Sequence, residues 1–206
     1  MIAVRHPIQQ KIDDERTFLD LLICLFPTLH NEWKARILRN FRQQASETAN
    51  GDEEVERTIF RSLSDGLEPH DFVPHTFHAA MLVMVYAYYD TIAHLLCNQG
   101  RQKPQLEALC RAKDIELSPD QKADISFLNN VICPIRNHLV HNNSSADSKS
   151  ERDTLEKICK EYSGLSMDDG VLSLTNSSLA TEALGRAHRL LTHIARQLGY
   201  VTRYSK

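Results

Sequence analysis

Apolar residues recur at helical spacing along almost the whole chain. Phe18, Leu21, Leu22 and Leu25 form one apolar side, and Asp13, Asp14 and Glu15 occupy the first turn of the helix they predict. Pro27 is expected to end that helix. Asn31 then reads as the N-cap of a second one, along which Trp33, Ile37, Leu38, Phe41 and Ala45 recur until Asn50-Gly51 closes it. An acidic helix follows with Val55, Ile59, Phe60 and Leu63 turned inward, and Gly66 to Pro74 reads as a loop. From His75 to Cys97 runs the most apolar helix. Met81 to Val85 leave it no wet face, so it is expected to be the central core helix. Its second half carries Tyr88, Tyr89, Asp90 and His94, with Asp90 and His94 four apart on one face.

Asn98-Gln99-Gly100 should stop that helix, and a short one is expected near Gln105 to Ala112. Ser118 followed by Pro119 is an N-cap with proline at the first helical position. The helix it starts contains Pro134, which lacks a backbone donor and should kink the chain just before Arg136. After a polar loop, Ser144 to Ser150, the residues Leu155, Ile158, Cys159 and Tyr162 mark a further helix. Leu165 to Thr175 reads as a small β-hairpin around an Asp-Gly turn. The last helix, Leu179 to Leu198, lines up Leu179, Ala183, Ala187, Leu190, Ile194 and Leu198, with Gly199 as its C-cap. The expected fold is an all-α bundle with a small hairpin before the last helix and an N-terminal helical extension.

The most chemically loaded stretch is Arg136-Asn137-His138-Leu139-Val140-His141. With Ile135 at the centre of the buried face, Leu128, Val131, Ile132 and Leu139 fall within roughly 60° of it at 100° per residue. Arg136, Val140, Asn137 and His141 fall on the opposite arc, at roughly 100°, 140°, 200° and 240°. His138 borders the core side. Arg136 and His141 do not converge easily on one helix. A second copy related by a two-fold axis would supply the missing proximity, with Val140 as the apolar residue of an otherwise polar contact. Asp90 either pairs with its own neighbour His94 or orients Arg136 or His141 from behind.

Arg, a polar residue, three further residues and His is the R-x4-H signature of the HEPN superfamily, which this stretch resembles, with Asn137 in the favoured second place. The order of a long core helix, a motif helix, a small hairpin and a closing helix also resembles HEPN domains, over roughly residues 70 to 200. On that likeness the chain divides into a helical extension, 1–66, either separate or part of the same domain, and a HEPN-like domain, 70–206. The resemblance implies a metal-independent endoribonuclease acting as a homodimer, without a cofactor, and in many members a toxin or phage-defence effector with an antitoxin or regulatory protein as partner. It implies His141 as general base or acid, Arg136 on the developing phosphorane charge, and Asn137 on the phosphate or on His141, with Asp90 and His138 in support. One branch of the superfamily is controlled by modification of a Tyr two places after the motif His; here that place holds Asn143. The alternative is a non-catalytic HEPN-like module in which the same residues bind a nucleotide, RNA or a protein.

Composition changes this picture little. The 206 residues carry a net charge of −3, so overall charge does not announce a nucleic-acid binder. Locally, Trp33 to Arg42 holds four basic residues and no acid, and Arg186 to Lys206 holds five and none. Such runs contact phosphates or serve as a wet helix face. Five cysteines, at 24, 97, 110, 133 and 159, are odd in number and form no C-x-x-C pair, which reads as reduced thiols in a cytoplasm. Met1 to Gln10 has no apolar run of signal-peptide type, and the longest apolar run, Ala79 to Tyr89, is 11 residues, so no membrane segment is expected. Ten histidines raise the question of a metal. His70, His75 and His78 cluster, but no spacing matches a zinc motif such as H-E-x-x-H. There is no glycine-rich phosphate loop and no G-x-S-x-G elbow, which argues against nucleotide hydrolysis and α/β-hydrolase chemistry.

Overall fold

The structure, a computed structural model, describes residues 6–65, 72–98, 105–141 and 148–200; the side chains of residues 72–74 and 141 lie outside that description. Within it the chain is helical apart from one hairpin. Helix α1 spans Pro7–Ala49, α2 Glu53–Asp65, α3 Phe72–Cys97, α4 Leu106–Ala112 and α5 Pro119–Phe127. A π-helical turn, Leu128–Ile132, joins α5 to α6, Cys133–His141. Helix α7, Lys149–Glu161, leads to strands β1, Leu165–Asp168, and β2, Val171–Leu174, and α8, Ser178–Gln197, closes the fold.

The first correction concerns α1. Pro27 does not end it, and Asn31 caps nothing: one helix of 43 residues runs through both. An internal proline costs a helix about 3 kcal/mol. Packing on both sides of it outweighs that cost here. Ile12, Leu19 and Ile23 are buried before it, Ala45 and Ala49 after it, and Phe26 stacks on Phe77 of α3 at 3.4 Å between ring centres. Asn50, at φ 48°, and Gly51, at φ 91°, make the expected stop. Helix α2 folds back on α1, but none of its residues is buried. Ile59, Phe60 and Leu63 are half-buried, and Val55, expected inward, is exposed.

Helix α3 is the hub, packed against α8, α1, α6 and β2. Against α8, its main partner, α3 buries Met81, Leu82, Val85, Ile92 and Ala93 in the core, and α8 buries Ala180, Ala183, Ala187, Leu190, Leu191 and Ile194. The alanines let the two helices approach closely. Its opposite side is a second departure from expectation. Ala80, Met84, Ala87, Thr91 and Leu95 are exposed, so the lack of polar residues does not make this helix buried all round. His75–Cys97 is long and apolar enough by length and composition to cross a membrane, which the 11-residue run did not suggest, and half of its most apolar window is buried in the bundle.

Local chemistry explains the remaining boundaries. Ser118 Oγ accepts from the Gln121 amide and Gln121 Oε1 accepts from the Ser118 amide, a reciprocal cap with Pro119 at the first helical position. The hairpin pairs Leu165 with Leu174 and Asp168 with Val171. Asp169 and Gly170 both have positive φ, 46° and 80°, as a two-residue turn of this hand requires. Alternation then buries Leu172 and Leu174 and leaves Val171 exposed. Gly199, at φ 79°, ends α8.

Candidate functional site

The motif helix begins with a widened turn, not with a simple kink. Pro134 has no N–H, and its ring would clash with the carbonyl four residues back. The preceding residues, Leu128–Ile132, therefore wind as a π turn, with the Cys133 amide bonded to the Leu128 carbonyl five residues back. The regular helix α6 resumes at Cys133. Ile135 and His138 are fully buried and Leu139 half-buried, while Asn137 and Val140 are exposed. Arg136 is half-buried at the edge of α3.

Among the described residues, no carboxylate holds Arg136. Its Nη1 donates to Asn137 Oδ1 at 3.0 Å, and its guanidinium carbon lies 6.0 Å from the ring centre of Tyr86 on α3. Asn137 Nδ2 in turn reaches Cys133 Sγ at 3.7 Å. Tyr86 is 7% exposed, and its hydroxyl is hydrogen-bonded to the same Cys133. Burial first, and that hydrogen bond second, push the Tyr86 phenol far above its ordinary pKa, so the ring stays neutral and its face remains a seat for a cation. Tyr86 and Cys133 were not picked out by the sequence; periodicity marks both only as apolar positions.

Asp90 does not reach Arg136. It pairs with His94 at 3.6 Å, the neighbour one turn along α3. His138 has no contact with solvent, and its Nδ1 lies 3.0 Å from Glu151 Oε1 in the first turn of α7. Its Nε2 is buried and has no hydrogen-bond partner among the described residues. Glu151 was missed because it lies on a different helix, ten residues after the motif His141. The one available signal was Ser148, whose hydroxyl accepts from the Glu151 amide and so fixes Glu151 at a helix start. His141 is the last residue of α6 and its side chain lies outside the described residues. The structure thus brings Arg136 and Asn137 together, sends Asp90 to His94, and turns His138 inward.

Two of the other histidines have partners. His75 Nδ1 meets the Leu174 carbonyl at 2.9 Å, and His78 Nδ1 meets Ser177 Oγ at 2.7 Å, so they tie α3 to the end of the hairpin and to the start of α8. His70 lies outside the described residues, and among those described no three metal-ligating side chains converge. Of the basic run from Arg186, Arg186 and Arg189 both turn to Asp124 of α5, which is 2% exposed.

Compared with family models, curated proteins and solved structures, the chain matches none of them.

Proposed function

We propose that this chain is a metal-independent endoribonuclease of HEPN type, working as a two-fold dimer in the cytoplasm. RNA carries its own nucleophile, the 2′-OH beside the scissile phosphate. The protein then needs a proton acceptor, a cation for the charge that develops on phosphorus, and a means of holding the backbone in line. In this reading His141 moves the proton and Arg136 meets the phosphorane-like charge. Asn137 hydrogen-bonds the phosphate or His141. The products are a 2′,3′-cyclic phosphate and a 5′-hydroxyl. The observation that carries the reading is the state of Arg136: its partners are an amide and an aromatic face, and it makes no ion pair among the described residues. The guanidinium keeps its full charge and most of its donors for a phosphate. Val140, exposed at 43%, sits beside it on the arc that the facing motif helix of a second copy would cover. A toxin or defence role, with an antitoxin or regulatory protein as partner, goes with this chemistry. His138, buried against Glu151, supports the helix and takes no part in proton transfer.

The test is cleavage of RNA by purified protein in EDTA. Wild type should cut, and His141→Ala should lose about two to four orders of magnitude in rate, the usual worth of general acid–base catalysis. Full activity in His141→Ala would contradict the assignment. RNA binding without cleavage by wild type would favour a binding module.

A further inference from the structure

The outward side of α1 carries a stripe that nothing in the described chain covers. Phe18, Leu21, Leu25 and Leu29 are 55%, 53%, 51% and 59% exposed. At 100° per residue they share an arc of roughly 80°. Four large apolar side chains, each more than half exposed on one helix face, are not ordinary surface. The stripe borders a groove of about 320 Å³ in which Phe18 and Leu19 meet Met84, Ala87 and Tyr88 of α3. We infer that this stripe is an interface with a second copy of the same chain, the two α1 helices crossing antiparallel about a two-fold axis at Leu25.

Two features of the sequence select that occupant. The stripe is nearly symmetric about Leu25. An antiparallel partner sets residue i opposite residue 50 − i, so that Leu25 meets Leu25 of the other copy, Leu21 meets Leu29, and Phe18 meets the turn of Glu32 and Trp33. The charges are antisymmetric about the same point. Residues 11–20 hold Asp13, Asp14, Glu15 and Asp20 against Lys11 and Arg16, whereas residues 32–42 hold Lys34, Arg36, Arg39 and Arg42 against Glu32. Antiparallel pairing lays the acidic third of each helix on the basic third of the other; parallel pairing sets like on like. Asp14 and Arg36 lie on the apolar arc, fall opposite one another by the same rule, and make no ion pair among the described residues. From Asp14 to Arg36 the contact runs about 33 Å, at 1.5 Å per residue. This association does not rest on the chemistry proposed for Arg136 and His141. It is also distinct from the facing motif helices, because α1 lies on the Tyr88 side of α3 and α6 on the Tyr86 side.

The experiment places single cysteines on the stripe in a Cys24→Ser background, under a mild thiol–disulfide buffer. Leu25→Cys should cross-link to itself, and Leu29→Cys should not, whereas Leu21→Cys combined with Leu29→Cys should. The Leu25→Cys cross-link should persist in a Val140→Asp variant, which separates this contact from the motif-helix dimer. Leu25→Asp with Leu29→Asp should halve the particle mass by light scattering at tens of micromolar. Both sites are more than half exposed, so the circular dichroism should not change. A Leu25→Cys variant that stays uncross-linked, equal self-linking at all positions, or an unchanged mass in the double Asp variant with native dichroism would overturn the inference.

Discussion

The molecule holds its arginines in two contrasting ways. Between α5 and α8, Arg186 and Arg189 close on Asp124 at 3.5 and 3.2 Å, and Arg186 also bonds Glu182 at 2.7 Å and lies 4.2 Å from the ring of Phe127. Between α3 and α6, Arg136 lies over Tyr86 and, among the described residues, bonds only the amide of Asn137. Both sites seat a guanidinium against an aromatic ring, but among the described residues only the first supplies carboxylates. A buried carboxylate must be compensated, so Asp124 takes two cations and the cluster becomes a strut between helices. The second site orients a cation and leaves its charge unspent. That difference separates an arginine built for stability from one offered to an anion.

Removing each arginine's function should therefore show in different measurements. The largest effect is expected at Arg136. Arg136→Ala should lower the rate of RNA cleavage by about two to three orders of magnitude, as for other donors that meet charge in the transition state. Arg136→Lys should recover little of it, since an ammonium lacks the planar fork. Neither should shift the melting temperature by more than a few degrees. A variant that loses folding in proportion to activity would place Arg136 with the struts.

The reverse pattern is expected at Asp124. Asp124→Asn should destabilise the fold by about 1–3 kcal/mol in denaturant melts, less than a fully buried pair because Arg189 is largely exposed and screened. Cleavage per folded molecule should be unchanged. Loss of cleavage in a folded Asp124→Asn protein would mean that this cluster also serves the site.

The smallest effect concerns pH. His78 titrates below the ordinary histidine value because of burial and the neighbouring His75, and His188 because of burial and Arg16. The unfolded chain then binds more protons than the folded one between those lowered values and the unperturbed 6.5. Their contribution to stability is whole above that value and is lost as pH falls through the window. Melting temperatures should drop between pH 7.5 and 5.5, and the drop should shrink in His78→Asn combined with His188→Gln. An equal drop in that variant would contradict the assignment.

Much of this was legible from sequence where the determinant is local. Ser118-Pro119 fixes a helix start, Asp169-Gly170 a tight turn, and Gly199 a helix end, each through the chemistry of one or two residues. The outward arc of Arg136, Asn137 and Val140 follows from period alone. Pro27 misled because its local penalty is outweighed by packing on both flanks, which the sequence does not display. The seat of Arg136 was hidden for a related reason. Tyr86 and Cys133 are brought together by the packing of α3 on α6, and Glu151 meets His138 from the next helix, α7. Asp90 was open between two readings; it pairs with His94 and not with Arg136, and the side chain of His141 lies outside the described residues.

The central claim is that Arg136 and His141 act on RNA through the substrate's own 2′-hydroxyl. It is tested most directly by an oligoribonucleotide carrying a single 2′-deoxy residue at the mapped cleavage position, incubated with wild-type protein in EDTA. The account predicts that the all-ribose strand is cut to a 2′,3′-cyclic phosphate and a 5′-hydroxyl, and that the deoxy strand binds as well but stays whole. Equal cleavage of the two strands would contradict it.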